Sequence, residues 1–182
     1  MPKVQDRRTR IADAVIAVLA ERGSRGLTHR AVDEVAGLPA GSTSYYVRTR
    51  AQLLASAVPR LAELDAASLG STRDSRQSLI DAMHDAVHGP GRQRTIARYE
   101  LVLEAARRPE IRQALNEGTE MLLSGLIRMF SSSPAEEAHI KAMDVMAFLD
   151  GMLLANVTAP EAERQSRAEL AAALDRIIGG EL

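Results

Sequence analysis

The chain reads as all-α: a three-helix N-terminal head followed by a larger helical body, about nine helices in all. Three observations predict this. Apolar residues recur at helical spacing almost from end to end, with glycine, proline and hydroxyl-bearing residues between the stretches. Alanine, leucine, arginine and glutamate are abundant, whereas aromatic residues make up only 3% and tryptophan is absent, a balance that favours helices. Residues 142–157 are apolar on nearly every side, so a helix there must be covered on every side. A length of 182 residues suits one core-forming domain, or a small domain joined to a larger one.

The first helix is expected over Gln5–Arg22, with Ile11, Val15, Val18 and Leu19 on its buried stripe and Gly23 as its stop. Arg7, Arg8 and Arg10 cluster at its start, either as an arm against a phosphate backbone or as an ordinary solvated helix face. Thr28 can cap the second helix with its hydroxyl, and Ala31, Val32, Val35 and Ala36 form its apolar stripe. Gly37 ends that helix in the left-handed conformation, which glycine adopts at little cost. Pro39 then fixes φ near the start of a third helix running through Tyr46.

Thr49 and Gln52 form a capping box for the fourth helix, which passes Leu53, Leu54, Val58, Leu61 and Leu64 to about Leu69. Pro59 lies inside it and predicts a kink or local break. Gly70-Ser71-Thr72 separates it from a fifth helix, Ser75–Val87, which ends at His88-Gly89-Pro90-Gly91. The sixth spans Gln93–Arg107, and Pro109 begins a seventh that reaches Phe130. Ser133, Pro134 and Glu136 supply cap, first helical residue and capping-box acid for the eighth. Thr158-Ala159-Pro160-Glu161 restarts the chain as a ninth, ending at Gly179-Gly180.

Two short helices around a glycine turn, over 27–50, make a helix-turn-helix, the unit that places a helix in the major groove of DNA. Charge agrees. Residues 1–50 carry nine Lys/Arg against five Asp/Glu, while the remainder carries 14 against 19, so a basic head sits on an acidic body. Gly26-Leu27-Thr28, Val35-Ala36-Gly37, the run from Gly41 through Arg50 and then Gln52-Leu53-Leu54 resemble the TetR family of transcriptional regulators. Departures from the family pattern are Pro39 at a common serine cap, Ser44 at the first aromatic, Tyr46 at a common histidine and Val47 at a common phenylalanine.

Contacts to double-stranded DNA divide into register-holding and reading ones. Thr28, Tyr45, Arg48 and Arg50 are assigned to phosphates, and Arg30 to a base, because its fork matches guanine O6 and N7. Ser42, Thr43 and Tyr46 are candidates for base edges or thymine methyls, Gly41 permits close backbone approach, and His29 is a groove or surface residue. Tyr45 has an alternative role, packed between the first and third helices with only its hydroxyl reaching DNA. The expected division is a DNA-binding domain over 1–49 and a ligand-binding and dimerisation domain over 50–182.

The all-round apolar eighth helix predicts a homodimer through helices eight and nine, forming a four-helix bundle across a two-fold axis. The alternative is a central core helix of a monomer; the TetR resemblance implies the dimer. Met83, Tyr99, Leu103, Met121, Leu122, Met146 and Met152 are expected to face one interior that holds a small-molecule effector, as the resemblance also implies. Asp150, followed by Gly151, would be costly to bury unpaired. It pairs with Arg98 or Arg128, orients the ligand, or is simply a satisfied carboxylate in a plain core.

With no cysteine, thiol chemistry and thiolate metal sites are excluded. No signal peptide or membrane span is visible, which predicts a cytoplasmic protein without a membrane partner. His84 and His88 lie one turn apart with Asp81 on the same face, but no third and fourth metal ligand is evident, and His88 also suits a helix C-terminus. No phosphate loop or Gly-x-Ser-x-Gly elbow is present, so neither an enzyme nor a cofactor is expected. Together these point to a ligand-responsive repressor that binds a palindromic operator as a homodimer and is released by an effector. The alternative is an all-helical small-molecule binder or enzyme with a vestigial helix-turn-helix.

Overall fold

Residues 2–69 and 75–179 are described by the computed structural model, and they contain helices and turns with no strand among them. The helices are α1 (Pro2–Gly26), α2 (His29–Ala36), α3 (Ser42–Tyr46), α4 (Arg50–Leu69), α5 (Ser75–His88), α6 (Gly91–Ala105), α7 (Pro109–Met129), α8 (Ala135–Thr158) and α9 (Arg167–Ile178). The Gly70-Ser71-Thr72 break and Gly180 lie outside the described residues. Among those described, no helix is long and apolar enough to cross a membrane.

Capping chemistry sets several boundaries. Thr28 Oγ1 accepts from the Ala31 amide at 3.1 Å, and Gly37 closes α2 at φ 60°. At the start of α4, Thr49 Oγ1 accepts from Gln52 N at 3.1 Å and Gln52 Oε1 accepts from Thr49 N at 3.3 Å. Helix α4 then runs through Pro59 without interruption. Three proline-based expectations are corrected, one of them the restart of the ninth helix at Pro160, since α9 begins only at Arg167. Pro39 does not open α3: Ser42 N bonds back to Pro39 O at 3.0 Å, and Gly41 takes φ 86°, so helical backbone begins only at Ser42. Pro134 has extended backbone (ψ 145°) and occupies the cap position itself, which leaves Ser133 outside α8 without a capping bond. At the far end, α8 runs through Thr158. A one-turn 3-10 helix (Glu161–Glu163) follows, and Ser166 with Glu169 forms the capping box of α9.

The chain divides into two compact units, Met1–Leu64 with Ile96–Gly118 and Asp65–Thr95 with Thr119–Leu182. In the first, Ile11, Val15 and Leu19 of α1 pack with Val32 of α2, Leu54 of α4 and Leu101 of α6. All of these are nearly inaccessible to solvent. Burying each such side chain is worth roughly 1.5–3 kcal/mol relative to exposure, so this apolar set fixes α2 on α1. Polar ties add to it: Glu100 Oε2 accepts from Ser24 N at 2.8 Å, and Arg60 Nε donates to Asp13 Oδ1 at 2.7 Å.

The second unit is built around Leu79, Ile80, Met83, Phe130, Leu170 and Leu174. Arg76 grips Asp175 in a two-pronged pair, Nε at 2.7 Å and Nη2 at 2.6 Å, tying α5 to α9. Helix α8 buries Ala138, Ala142, Val145 and Met152 against this core. Its opposite side is open within one chain: Ile140, Met143 and Leu154 are exposed, as is Ile177 of α9.

Candidate nucleic-acid interface

Helix α3 has only five residues and a glycine at its N-cap, so it has no side-chain acceptor of its own for its first amides. Asp33 of α2 supplies one. Its Oδ2 accepts from Gly41 N at 2.7 Å, and its Oδ1 accepts from Thr43 N at 2.8 Å and from Thr43 Oγ1 at 2.6 Å. The carboxylate is 3% exposed and Thr43 is fully buried. Burial would push the Asp33 carboxyl up, but the bonds from Thr43 and Gly41, with His29 nearby, outweigh it and hold it below the ordinary aspartate value.

The other end of α3 is tied to α2 as well, where His29 Nε2 lies 2.7 Å from Val47 O. A carbonyl only accepts, so this nitrogen carries the hydrogen. Arginines close the remaining helix ends. Arg10 Nη2 donates to Ala36 O at 2.7 Å, and Arg50 donates to Leu27 O at 2.5 Å and to Ser24 O. Arg7 Nη1 donates to the Tyr46 hydroxyl at 3.3 Å, and Tyr46 packs against the core of the first unit.

Several expected DNA contacts are therefore corrected. The Thr43 hydroxyl is buried and donated to Asp33, which removes it from base reading. The Arg50 guanidinium is committed to two backbone carbonyls, so it is a structural cap on the turn after α1. The two tyrosines exchange roles: Tyr46 is the half-buried packing residue, while Tyr45 is 78% exposed. Their rings meet edge to face, with centroids 5.1 Å apart. Thr28, Arg30, Gly41, Tyr45 and Arg48 are exposed, Ser42 is half-exposed, and His29 is partly covered by its bond to Val47. Asp33 was not among the candidates. The signal for it was present: a short helix starting at glycine needs an outside acceptor, and the nearest upstream carboxylate on the packed side of α2 is Asp33.

The candidate ligand residues are divided between the two compact units. Met83 is buried in the second unit's core, Met146 packs against that core, and Leu122 is half-buried. Tyr99 and Leu103 belong to the first unit, where Leu103 is 62% exposed rather than inward-facing. Asp150 is exposed, so no buried charge has to be compensated there. The Met121 side chain lies outside what is described. A depression of about 190 Å³ in the second unit is lined by residues including Phe130, Lys141, Asp144 and Arg176, none of them in the candidate set. The His84 and His88 rings lie 4.9 Å apart; His88 Nε2 is 2.8 Å from Gln165 O, and Asp81 is held by Arg167 and Gln77. Among the described residues no group of three His, Cys, Asp or Glu side chains is placed to hold a metal ion.

Residues 74–180 match the tetracyclin repressor-like, C-terminal domain family. No curated protein matches the chain. Among solved structures, a transcriptional regulator from Rhodococcus sp. Rha1 is similar in fold, with TM-score 0.80 and 24% identity over 94% of each chain. A TetR-family member from Streptomyces coelicolor A3 is 27% identical, with TM-score 0.72 over 94% of this chain and 97% of that one. The multidrug binding protein EbrR, in complex with ethidium, is 28% identical with TM-score 0.70, over 94% of this chain and 98% of its own.

Proposed function

The chain belongs to the TetR family of transcriptional regulators, and from that premise we propose that it is a repressor, homodimeric on a near-palindromic operator and released by a small-molecule effector. Residues 1–49 serve as the DNA-binding domain and residues 50–182 as the ligand-binding and dimerisation domain. The observation that carries the reading is the division of labour in the head. Asp33, His29, Arg10 and Arg50 satisfy its internal helix ends, while Arg30, Arg48, Tyr45 and Thr28 stay exposed around the recognition helix α3. Arg48, Tyr45 and Thr28 suit phosphates; Arg30 suits a guanine edge, and Ser42 and Gly41 suit close approach to a groove.

Dimerisation through α8 and α9 is supported by Ile140, Met143, Leu154 and Ile177, an apolar set left open within one chain. Small residues between them, Ala147 and Gly151, permit close helix approach. The effector site belongs in the second unit, whose core includes Met83, Met129, Met146 and Met152, side chains that repack around varied apolar shapes. The likeness to EbrR favours an aromatic ligand. No catalytic role is assigned to the protein, and reaching an operator places it in the cytoplasm.

Release needs only differential affinity. An effector that prefers a head spacing unsuited to successive major grooves, with a coupling of about 1–3 kcal/mol, lowers operator affinity roughly 5–150-fold. The test is selection of random duplex DNA by the purified protein at ~100 mM salt, where screening is already substantial. Enrichment of one palindrome is expected. Absence of enrichment by a folded dimer overturns the reading in favour of a binding protein with an idle head.

A further inference from the structure

We propose that Asp33 is the positioning residue of the recognition helix: it sets where α3 sits on α2 through Gly41 and Thr43, and touches no DNA itself. The proposal rests on the reading of α2 and α3 as the DNA-binding element.

A five-residue helix is too short to hold its own geometry in water, so α3 takes its conformation from what anchors it. Three donors at its start, Gly41 N, Thr43 N and the Thr43 hydroxyl, converge on the two oxygens of one carboxylate at 2.7, 2.8 and 2.6 Å. That carboxylate belongs to α2, whose Ala31 and Val32 are buried in the core shared with α1. Asp33 is 3% exposed, and no lysine or arginine pairs with it among the described residues, so its charge is satisfied by the α3 donors themselves. A buried carboxylate is costly unless its acceptor sites are filled, and here the groups that fill them define the position of α3. With His29 holding Val47 O, α2 grips α3 at both ends.

The consequence is for selectivity. Reading base edges demands side chains placed within about 0.5 Å, whereas phosphate contacts tolerate more play. Loosening the Asp33 clamp should therefore cost affinity for the correct sequence more than affinity for DNA in general.

Two substitutions at Thr43 separate positioning from packing. Thr43→Val keeps the buried volume and loses the hydroxyl donor; Thr43→Ser keeps the donor and loses a methyl group. Packing alone ranks Ser as the worse replacement, while positioning ranks Val as the worse. Asp33→Asn, which turns one acceptor oxygen into a donor facing an N–H, should be worse than either.

Two readouts are needed on the 182-residue chain. The first is amide hydrogen exchange of the free protein. Exchange across 41–46 should speed up about tenfold or more in Asp33→Asn and Thr43→Val, with α1 amides unchanged and Thr43→Ser close to wild type. The second is the ratio of affinities for the palindrome selected by the wild-type protein and for a random duplex of equal length. That ratio should fall on the order of tenfold in Asp33→Asn and Thr43→Val and be kept in Thr43→Ser. Wild-type exchange and discrimination in Thr43→Val, or losses that follow Thr43→Ser instead, would overturn the proposal. If the exchange arm behaves as expected but the wild-type protein prefers no sequence, the clamp stands while the DNA reading, and with it a recognition role for Asp33, falls.

Discussion

Replacing Arg50 by methionine should destabilise the head without removing a DNA contact. In the first unit, the Arg50 guanidinium donates to Leu27 O at 2.5 Å and to Ser24 O, holding the turn between α1 and α2. Hydrogen bonds from a charged donor contribute about 1.5–3 kcal/mol each when buried; this side chain is half-buried, which discounts each to about 1 kcal/mol and the pair to about 2 kcal/mol. Methionine keeps the apolar stem, so the loss reports the bonds rather than packing. Tyrosine fluorescence during urea unfolding isolates the effect, because Tyr45, Tyr46 and Tyr99, the chain's three tyrosines, all lie in the first unit and there is no tryptophan. The midpoint should fall with unchanged m-value. Below that midpoint, the slope of log K against log salt on the selected duplex should equal that of wild type. A slope reduced by about two, one contact for each head of the dimer, with unaltered stability, would refute this reasoning and make Arg50 a phosphate ligand.

Arg48→Ala, by contrast, should weaken binding equally for all sequences and reduce the salt slope by about two, one contact for each head of the dimer, whereas Arg30→Ala should relax preference at one base position in each half-site; competition with single-base variants of the palindrome separates the two. Leu154→Glu should abolish the dimer in sedimentation velocity while changing protomer stability by only about 0.5 kcal/mol, because Leu154 is exposed within one chain. The Asp33 carboxyl titrates below its ordinary value in the folded head, so its contribution to stability is complete above about pH 4 and is lost as pH falls through the lower folded value. Acid unfolding followed by tyrosine fluorescence should accordingly be shifted to higher pH in Thr43→Val, which gives up one of the bonds that hold the carboxylate ionised.

Local rules carried far in this chain. Thr28, Gly37 and the Thr49–Gln52 box act where the sequence places them, because capping depends on residues only a few positions apart. The prolines at 39 and 134 misled for a related reason. Proline is accepted both at the first helical position and just before it, and the choice was settled by backbone at Gly41 and by extended φ/ψ at Pro134. The roles of Asp33, Arg50 and Tyr45 depend on which faces meet across the head, and residue type alone does not report that. Arginine near a basic motif reads equally well as a phosphate ligand or a helix cap. Leu103 and Asp150 show the same limit in reverse: spacing suggested an inward face, and both side chains are exposed. The outer face of α8, by contrast, was legible as apolar, and a single chain leaves it uncovered.

The most direct test of paired heads on a palindromic operator compares the selected duplex with one carrying about five extra base pairs between its half-sites, half a helical turn. A dimer with fixed heads should bind the lengthened duplex only as tightly as random DNA of equal length. Equal affinity for the two duplexes would contradict the paired-head reading.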